Sequence, residues 1–423
     1  MSGPQAAAVV RSMTGRDLAH CTAALRTIRH PVSHAILDRA VVLFFKGPAS
    51  ETGEDIAELQ LHGSRAVVAA VLAALGTIPG CRMALPGEFA RRAFDNGKID
   101  LTTAEGLADL IDAETEQQRI QALAQASGEH HRLYAGWRRE LIQAQALVEA
   151  AIDFADEGDV SLHAVGEAMG AALALTEALG RHLAGANRGE IRRTGFKVVL
   201  AGAPNAGKSS LLNALSRRDA AIVSDEPGTT RDVIEVRLDL DGIAVLISDT
   251  AGIREATGGV EREGVRRSLE RVRAADLVLW LRDATAHEGA EAVPAAFMPS
   301  FDTTTIDIAT KMDLLPAGVL GPRGLAISTV TGQGLDALTS EIIRHAKQYL
   351  GDDTALAPTQ SRHRAHLQAA LEHLAAFAAG SSDHLELRAE DLRLAANELG
   401  RLTGRIDPEE VLGEIFGRFC IGK

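Results

Sequence analysis

The sequence has little cysteine and a shortage of basic charge. Only three of its 423 residues are cysteine, namely Cys21, Cys81 and Cys420, and they lie far apart. This odd number and spacing exclude a disulfide framework or a zinc finger and favour a reducing compartment. The formal net charge is −13, from 44 Lys and Arg against 57 Asp and Glu. Such a chain is not a simple polyanion binder, so nucleic acid would be held locally or through a partner.

Long apolar runs are also missing. No stretch of about 18 apolar residues occurs, and the N-terminus has no signal-like apolar core. The sequence therefore predicts a soluble cytoplasmic protein. Its hydrophobic content of 46% and charged content of 24% are ordinary for globular proteins.

Changes of pattern along the chain predict three domains. Residues 1–97 mix short apolar runs with turn signals, which indicates an α+β domain. Residues 98–190 contain no proline and indicate long helices, a pattern that returns at 346–423. Between them, residues 191–345 alternate strands and helices, as a doubly wound α/β domain does. The predicted fold class is multidomain α/β + α, with the α/β domain inserted into a helical domain.

A phosphate-binding loop opens the inserted domain. The apolar run 196–201 predicts a strand, and residues 202–209 then read Gly-Ala-Pro-Asn-Ala-Gly-Lys-Ser before an apolar helix. In this P-loop pattern, backbone N–H groups enclose phosphates at a helix N-terminus. Lys208 is predicted to reach the β- and γ-phosphates, and the Ser209 hydroxyl to bind Mg²⁺. The predicted GTP contacts of this loop are Asn205, Ala206, Gly207, Lys208, Ser209 and Ser210.

Two further segments predict the switch regions of a GTPase. Thr230, in Gly228-Thr229-Thr230-Arg231-Asp232, is placed to bind Mg²⁺ and sense the γ-phosphate. After a predicted strand at 243–247, Asp249 would hold the metal through water and the Gly252 N–H would contact the γ-phosphate. The predicted GTP contacts here are Ser224, Asp225, Glu226, Pro227, Gly228, Thr229, Thr230, Asp249, Thr250, Ala251 and Gly252.

The motif Thr310-Lys311-Met312-Asp313 predicts specificity for guanine. The Asp313 carboxylate can accept hydrogen bonds from guanine N1–H and N2–H, which adenine cannot supply. Lys311 would lie over the base, and Thr310 stands where most GTPases have Asn. Ser328 and Thr329 are predicted to offer backbone N–H groups to guanine O6.

One residue expected of a Ras-like GTPase is missing. The Gln that orients the attacking water follows the D-x-x-G motif in that class. This chain has Ile253 there, and an apolar side chain cannot orient water. Hydrolysis therefore needs another device for the water and for the transition-state charge.

Short motifs spread along the chain point to one family. They are Thr52-Gly53-Glu54-Asp55 with Glu58 and His62-Gly63, Pro86-Gly87-Glu88-Phe89, residues 92–101, Asp153-Phe154, residues 249–255 and the terminal Phe419-Cys420-Ile421-Gly422-Lys423. With these motifs the sequence resembles, over nearly its whole length, the MnmE (TrmE) family of bacterial tRNA-modification GTPases.

The resemblance implies an activity and partners. The family forms homodimers that work with a flavin- and NADH-dependent partner, MnmG (GidA), in a heterotetramer or a larger assembly. Together they place a carboxymethylaminomethyl or aminomethyl group on C5 of the wobble uridine of certain tRNAs. The one-carbon unit comes from 5,10-methylenetetrahydrofolate, for which 5-formyltetrahydrofolate is an analogue.

The resemblance also implies roles for particular residues. K⁺ would replace the arginine finger, held by Asn205 and by the backbone carbonyls of Ser224, Glu226 and Thr229. Glu261 matches the acid that orients the water, so the implied catalytic residues are Glu261, Asn205 and Lys208. Two G domains must pair to order this loop.

The implied folate residues are Glu58, Lys98 and Lys423. The family's folate-binding Arg has no counterpart, because this chain begins Met1-Ser2-Gly3-Pro4 where the family has an extra strand ending Arg-x-Ser-Gly. A misassigned or truncated start would explain the difference and would affect folate affinity and the N-terminal dimer contact. Cys420 is a possible modification site in this picture or, alternatively, an idle buried cysteine.

The sequence also allows other interpretations of the function and of single residues. A ribosome-assembly GTPase shares Gly-Thr-Thr-Arg-Asp, but it would need a basic RNA-binding module where this chain ends in acidic helices. A scaffold active only as a GTPase is the second alternative. Glu261 can be an ordinary acid at a helix start, and Glu58 and Lys98 a surface acid and a turn lysine. His130-His131 has no partner at metal-ligand spacing and is predicted to lie on a solvated helix face.

Overall fold

The computed structural model describes residues 1–154, 158–217, 235–249, 270–285, 304–315, 324–351, 356–380, 384–406, 409–417 and 419. The chain divides into two compact units. The first comprises Met1–Ala108, Ala124–Ala172 and Glu372–Lys423, and the second Asp109–Leu123 and Leu173–Leu371. The fold is multidomain α/β + α, as the sequence predicted. The three-domain boundaries stay a prediction.

The first unit begins with a small α+β module, residues 1–98, which we name the N-terminal module. Its antiparallel sheet has the order β1 (Ala24–Arg29), β2 (Ile36–Phe45) and β3 (Ile56–Gln60). Helices α1 (Ala6–Thr14) and α2 (Arg65–Gly76) share its apolar core, whose buried side chains include Val9, Met13, Ile28, Val42 and Val71. The Ser64 side chain caps α2 by accepting the Val67 N–H at 3.2 Å.

Helices dominate the chain from residue 88 to residue 194. They are α3 (Glu88–Asp95), α4 (Leu101–Ile111), α5 (Glu116–Ala126), α6 (Glu129–Asp153), α7 (Gly158–Ala184) and α8 (Ala186–Thr194). Long helices return near the C-terminus as α11 (Ser361–Ala379), α12 (Leu385–Leu402) and α13 (Glu409–Gly417). Within the first unit α6 packs along α12, and each helix buries one face.

The predicted solvated position of the histidine pair is wrong for His130. That residue is buried in α6, with its ring 5.5 Å from the ring of Tyr134. His131 is half-buried, and its Nδ1 lies 2.9 Å from Asp100 Oδ2. His130 lies on the same helix face as Tyr134, Trp137 and Leu141, which are buried as well, so the face is core and not surface. Among the described residues no cluster of His, Cys, Asp and Glu could hold a metal ion.

The second unit is built around a six-stranded sheet. Its strand order is β5-β6-β4-β7-β8-β9, and all pairs are parallel except β5 with β6. The strands are β4 (Phe196–Gly202), β5 (Glu235–Leu240), β6 (Ile243–Asp249), β7 (Leu277–Asp283), β8 (Thr304–Thr310) and β9 (Leu325–Ala326). Strands β4 and β7 are buried along almost their whole length, as central parallel strands are.

The carboxyl ends of the parallel strands share one edge of this sheet. Gly202, Asp249, Asp283 and Thr310 end β4, β6, β7 and β8 respectively. Helix α9 (Lys208–Ser216) follows β4, a 3-10 turn (Met312–Leu314) follows β8, and α10 (Leu335–Leu350) follows β9. Ligands of open α/β sheets bind outside this edge, so the fold places the candidate site there. None of the helices described is both long and apolar enough to cross a membrane.

Candidate nucleotide-binding site

The phosphate loop leaves β4 and turns directly into α9. Gly202 must be glycine, because a Cβ there would lie 2.3 Å from the Leu281 carbonyl oxygen of the next strand. Asn205 and Gly207 both have positive φ, 63° and 92°, which bends the loop back toward the helix. The Lys208 ammonium is folded inside this bend and donates to the carbonyls of Gly202 at 2.9 Å and Ala203 at 2.8 Å. A buried cation at a helix N-terminus makes this loop an anion site.

Two oxygen ligands suited to Mg²⁺ meet beside this loop. The Ser209 hydroxyl donates to Asp249 Oδ2 at 2.8 Å. The contact arises because β4 and β6 pair in register, with Leu200 opposite Asp249, so the strand end faces the first turn of α9. A hydroxyl and a buried carboxylate are the hard donors that Mg²⁺ prefers. These residues therefore fit the metal that the sequence predicted.

Thr310 ties the end of β8 to the phosphate loop. Its buried hydroxyl lies 2.8 Å from the Ala206 carbonyl oxygen and 3.0 Å from that of Arg282. A hydroxyl has one proton, so it serves one carbonyl at a time or shares the proton between both. An Asn amide would offer two protons. Thr310 therefore makes the contact between β8 and the phosphate loop, but it has one hydrogen-bond donor where an Asn side chain would have two.

The residues predicted to read guanine lie together after β8. Asp313 Oδ1 accepts the Ser328 hydroxyl at 2.6 Å. The same Ser328 oxygen accepts the N–H groups of Val330 at 3.2 Å and Thr331 at 3.1 Å, which fixes the loop beyond β9. The Ser328 backbone N–H is already donated to the Gln333 carbonyl at 2.9 Å. Of the two predicted N–H donors to guanine O6, Thr329 is therefore the better candidate.

Sequence reasoning missed Asp283 at the end of β7. Its Oδ2 accepts the Lys311 ammonium at 2.6 Å. Burial alone would raise the pKa of Asp283, but hydrogen bonds from Lys311 and Thr285 outweigh it and hold the pKa below its usual value. The sequence indicated only that Asp283 ends a strand near this edge, because the carboxyl ends of neighbouring parallel strands meet; it did not give the register that brings Asp283 to Lys311.

Several predicted site residues lie outside the part of the chain that the structure describes. They are Ser224, Asp225, Glu226, Pro227, Gly228, Thr229, Thr230, Thr250, Ala251, Gly252, Glu261, Cys420 and Lys423. Of the predicted K⁺ ligands, only Asn205 is described, and its side chain is exposed on the phosphate loop. The predicted loop contacts Ala206, Gly207 and Ser210 follow it at the start of α9.

The two described folate candidates lie in the N-terminal module. Glu58 is exposed on β3 and accepts the Gln60 side-chain amide at 3.2 Å. Lys98 is exposed in the turn after α3, and its stem passes the loop at Gly53, where a Cβ would lie 3.3 Å from Lys98 Cε. No hydrogen bond or ion pair joins these two side chains among the described contacts.

Comparisons with known proteins identify relatives along the whole chain. One family profile, described as the MnmE helical domain, matches residues 101–420, and another, the GTP-binding protein TrmE N-terminus, matches residues 1–98. A tRNA modification GTPase MnmE of Methylorubrum populi is 52% identical over 425 residues, covering 100% of this chain and 94% of the relative. The protein of the same name from Mesorhizobium japonicum is 48% identical over 427 residues, covering 100% and 95%.

Solved structures match a smaller part of the chain. Era of Aquifex aeolicus bound to GDP and AlF4⁻ has 24% identity and a TM-score of 0.28, covering 42% of this chain and 66% of Era. The G domain of the FeoB iron transporter of T. maritima has 25% identity and a TM-score of 0.25, covering 36% and 98%.

Proposed function

The chain belongs to the MnmE family of tRNA modification GTPases, and from this premise we propose that it is a K⁺-dependent GTPase acting on wobble uridine. With a flavin-dependent partner of the MnmG type, it forms the 5-carboxymethylaminomethyl or aminomethyl group. The observation that supports this most strongly is the similarity along the full length, which includes the N-terminal module and the helical domain. A ribosome-assembly role has no comparable support.

The described residues support distinct roles in nucleotide binding. Lys208 would neutralise the β- and γ-phosphates, while Ser209, Asp249 and Thr230 would hold Mg²⁺. Asp313 accepts from the guanine edge, Lys311 covers the base, and the Thr329 N–H contacts O6. Mg²⁺ supplies charge neutralisation at the phosphates when it is bound.

Hydrolysis in this proposal depends on residues near the γ-phosphate. Ile253 cannot orient water, so Glu261 takes that role when two G domains pair in the homodimer. K⁺ supplies the positive charge that an arginine finger gives other GTPases, and Asn205 is the described side chain that would help to hold it. Oxygen donors are the kind of ligand that an alkali cation takes, and the Asn205 amide offers one.

The N-terminal module supports the folate part of the proposal. Glu58, Lys98 and Lys423 would bind 5,10-methylenetetrahydrofolate, whose one-carbon unit becomes part of the uridine modification. Both described side chains are exposed, and neither is held in an ion pair within the described part of the chain. They are therefore accessible to a folate carrying carboxylates and a polar ring edge.

Mass spectrometry of wobble uridine tests the proposal. Deleting the gene should remove the modified nucleoside from tRNA, and the wild-type gene should restore it. Ser209→Ala should fail to restore it, because it removes the hydroxyl that meets Asp249. Ser216→Ala is the matched control at the other end of α9, where the hydroxyl donates to the Leu212 carbonyl. Unchanged wobble uridine in the deletion strain would exclude this function.

A further inference from the structure

An acidic residue outside the recognised motifs holds the lysine of the guanine site. Asp283 ends β7, and Lys311 directly follows β8, the neighbouring parallel strand. Their side chains meet at 2.6 Å, although 28 positions separate them in the sequence. The contact is a charge-assisted hydrogen bond, which is shorter and stronger than a neutral one.

The backbone reinforces this contact from both sides. The Ala284 N–H donates to the Thr310 carbonyl at 3.0 Å, so the turn after β7 is bonded to the end of β8. Lys311 itself has a φ of 59°, a left-handed conformation that turns its side chain away from the strand direction. A lysine stem has four rotatable torsions, and a fixed acceptor at its end selects among them.

Asp283 is itself held rigidly. Its Oδ1 accepts the Thr285 N–H at 2.9 Å and the Thr285 hydroxyl at 2.7 Å, leaving Oδ2 for Lys311. Its side chain is 19% exposed, against 52% for Asp307, which pairs with Arg282 on the same two strands. Of these two neighbouring ion pairs, the less exposed one, Asp283–Lys311, is the one that involves a residue of the guanine motif.

We propose that Asp283 is a positioning residue for guanine nucleotides, acting through Lys311. It anchors the ammonium so that the methylene stem lies flat over one face of the base, while Asp313 binds the base edge. The proposal rests on the guanine roles of Lys311 and Asp313 proposed above. Asp283 contributes to affinity for both GTP and GDP, because it touches neither the γ-phosphate nor the attacking water.

A double-mutant cycle on the full chain tests the proposal. Asp283→Asn should weaken GTP and GDP binding about five- to tenfold each, because the amide oxygen of asparagine can still accept from Lys311 and only the charge assistance of the contact is lost. The single-turnover hydrolysis rate at saturating GTP should change less than about twofold. Lys311→Ala should weaken binding as well, and adding Asp283→Asn to it should cause no further loss, because the two residues act as one unit.

Control variants separate positioning from a structural effect. Asp307→Asn removes the adjacent, more exposed ion pair and should leave nucleotide affinity unchanged. Asp283→Glu keeps the charge and should bring affinity back to within about threefold of wild type. Unchanged affinity in Asp283→Asn, or losses that add to those of Lys311→Ala, would overturn the proposal. If Asp313→Asn also left guanine preference unchanged, the proposed guanine site itself would be wrong.

Discussion

The nucleotide end of the six-stranded sheet and the N-terminal module use their charged residues in different ways. At the nucleotide end, Lys208 and Ser209 at the start of α9 and Asp313 in the turn after β8 lie at the carboxyl edge of the sheet. In the N-terminal module, the charged residues of the family motifs bond mainly to each other. The first group gathers the residues that are proposed to bind the nucleotide, whereas the second group holds the module together.

The internal network of the N-terminal module links three segments of the chain. Arg92 donates to Glu88 at 2.7 Å and to Glu54 at 2.8 Å. Glu54 also accepts the Ser2 hydroxyl at 2.9 Å, and that hydroxyl lies 2.7 Å from the Thr52 hydroxyl. The segments around residues 2, 52–54 and 88–92 are thereby fastened together.

The comparison shows that strong family motifs need not be ligand contacts. Glu54, Glu88 and Arg92 lie in motifs that carry the family resemblance, yet the structure explains each by a partner within the module. Glu58 and Lys98, the residues that the resemblance assigns to folate, are exposed and outside this network. Variants at the nucleotide end should therefore change nucleotide binding or hydrolysis, whereas variants in the internal network of the N-terminal module should change stability.

The largest expected effect is on catalysis at Glu261. Glu261→Ala should slow GTP hydrolysis about a hundredfold or more and leave GTP affinity nearly intact, since water-orienting groups contribute about 10²–10⁴ in rate. The residue follows the glycine pair Gly258-Gly259 and is expected to act only when two G domains close. Single-turnover hydrolysis and GTP affinity are to be measured on the same folded protein.

The neighbouring acid provides the control for that variant. Glu263→Ala removes the same charge two positions later and should leave the rate unchanged. A normal rate in Glu261→Ala would make Glu261 an ordinary acid at a helix start, whose loss costs at most about 1 kcal/mol of stability.

The next largest effect is on stability in the N-terminal module, at Gly87. This residue precedes α3 with a φ of +67°, and a Cβ there would lie 2.3 Å from the Phe416 carbonyl oxygen. Gly87→Ala should lower the free energy of unfolding by about 2–4 kcal/mol, from left-handed strain and overpacking together. Urea unfolding followed by circular dichroism measures this loss.

The matched control for Gly87 is a glycine with open surroundings. A Cβ on Gly136, within α6, would meet no atom within 4 Å. Gly136→Ala should therefore be neutral or stabilising by up to about 1 kcal/mol. GTP affinity of folded Gly87→Ala should equal that of wild type; a large fall in affinity would break the division between the two regions.

A smaller change is expected at the guanine edge. Asp313→Asn should weaken GTP binding about 10- to 150-fold, because a charge-assisted hydrogen bond contributes about 1.5–3 kcal/mol. The same variant should bind xanthine nucleotides better, since the Asn amide can donate to the carbonyl that xanthine carries at C2. Competition between GTP and XTP measures the shift, and Asp307→Asn serves as control. Unchanged GTP affinity would remove Asp313 from the base site.

Local patterns were enough to predict much of the second unit. The strand at 196–201, the loop up to Ser209 and the strand at 243–247 are each one unbroken stretch of sequence. Their residue pattern and spacing were therefore enough to predict them. The buried position of His130 was also encoded, because Tyr134, Trp137 and Leu141 follow it at helical intervals and form an apolar face. The prediction of a solvated face was wrong because it considered only the adjacent histidines and their metal-ligand spacing. It did not consider the helical periodicity of the apolar residues that follow them.

Pairings between distant segments could not be predicted from the sequence. The Asp283–Lys311 contact depends on the register of β7 against β8, where Asp283 lies opposite Thr310. The contact of Arg92 with Glu54 spans 38 positions and requires α3 to lie against the loop before β3. No local propensity encodes either contact, because each is fixed by tertiary packing.

The smallest expected effect is a pH dependence of stability at Glu88. Hydrogen bonds from Arg82, opposed by burial and aided by the Leu85 N–H and Arg92, lower the pKa of Glu88 from 4.5 to about 2. A carboxyl with a depressed pKa stabilises the folded state above pH 4.5, and this contribution fades as the pH falls toward 2. Its size should be about 1 kcal/mol, because Arg82 is 60% exposed and solvent screens the pair.

Urea unfolding of Glu88→Gln between pH 7 and pH 3 tests this effect within the internal network. At pH 7 the variant should be less stable than wild type by about 1 kcal/mol, and the difference should shrink at pH 3, where wild type has lost part of the same contribution. Glu51→Gln makes the same change of charge at an exposed acid with no ion pair among the described contacts. Its free energy of unfolding should differ from that of wild type by the same small amount at every pH. GTP affinity at pH 7 should be equal in all three proteins. A constant difference between Glu88→Gln and wild type down to pH 3 would mean that Glu88 stabilises the module by packing and not by its charge.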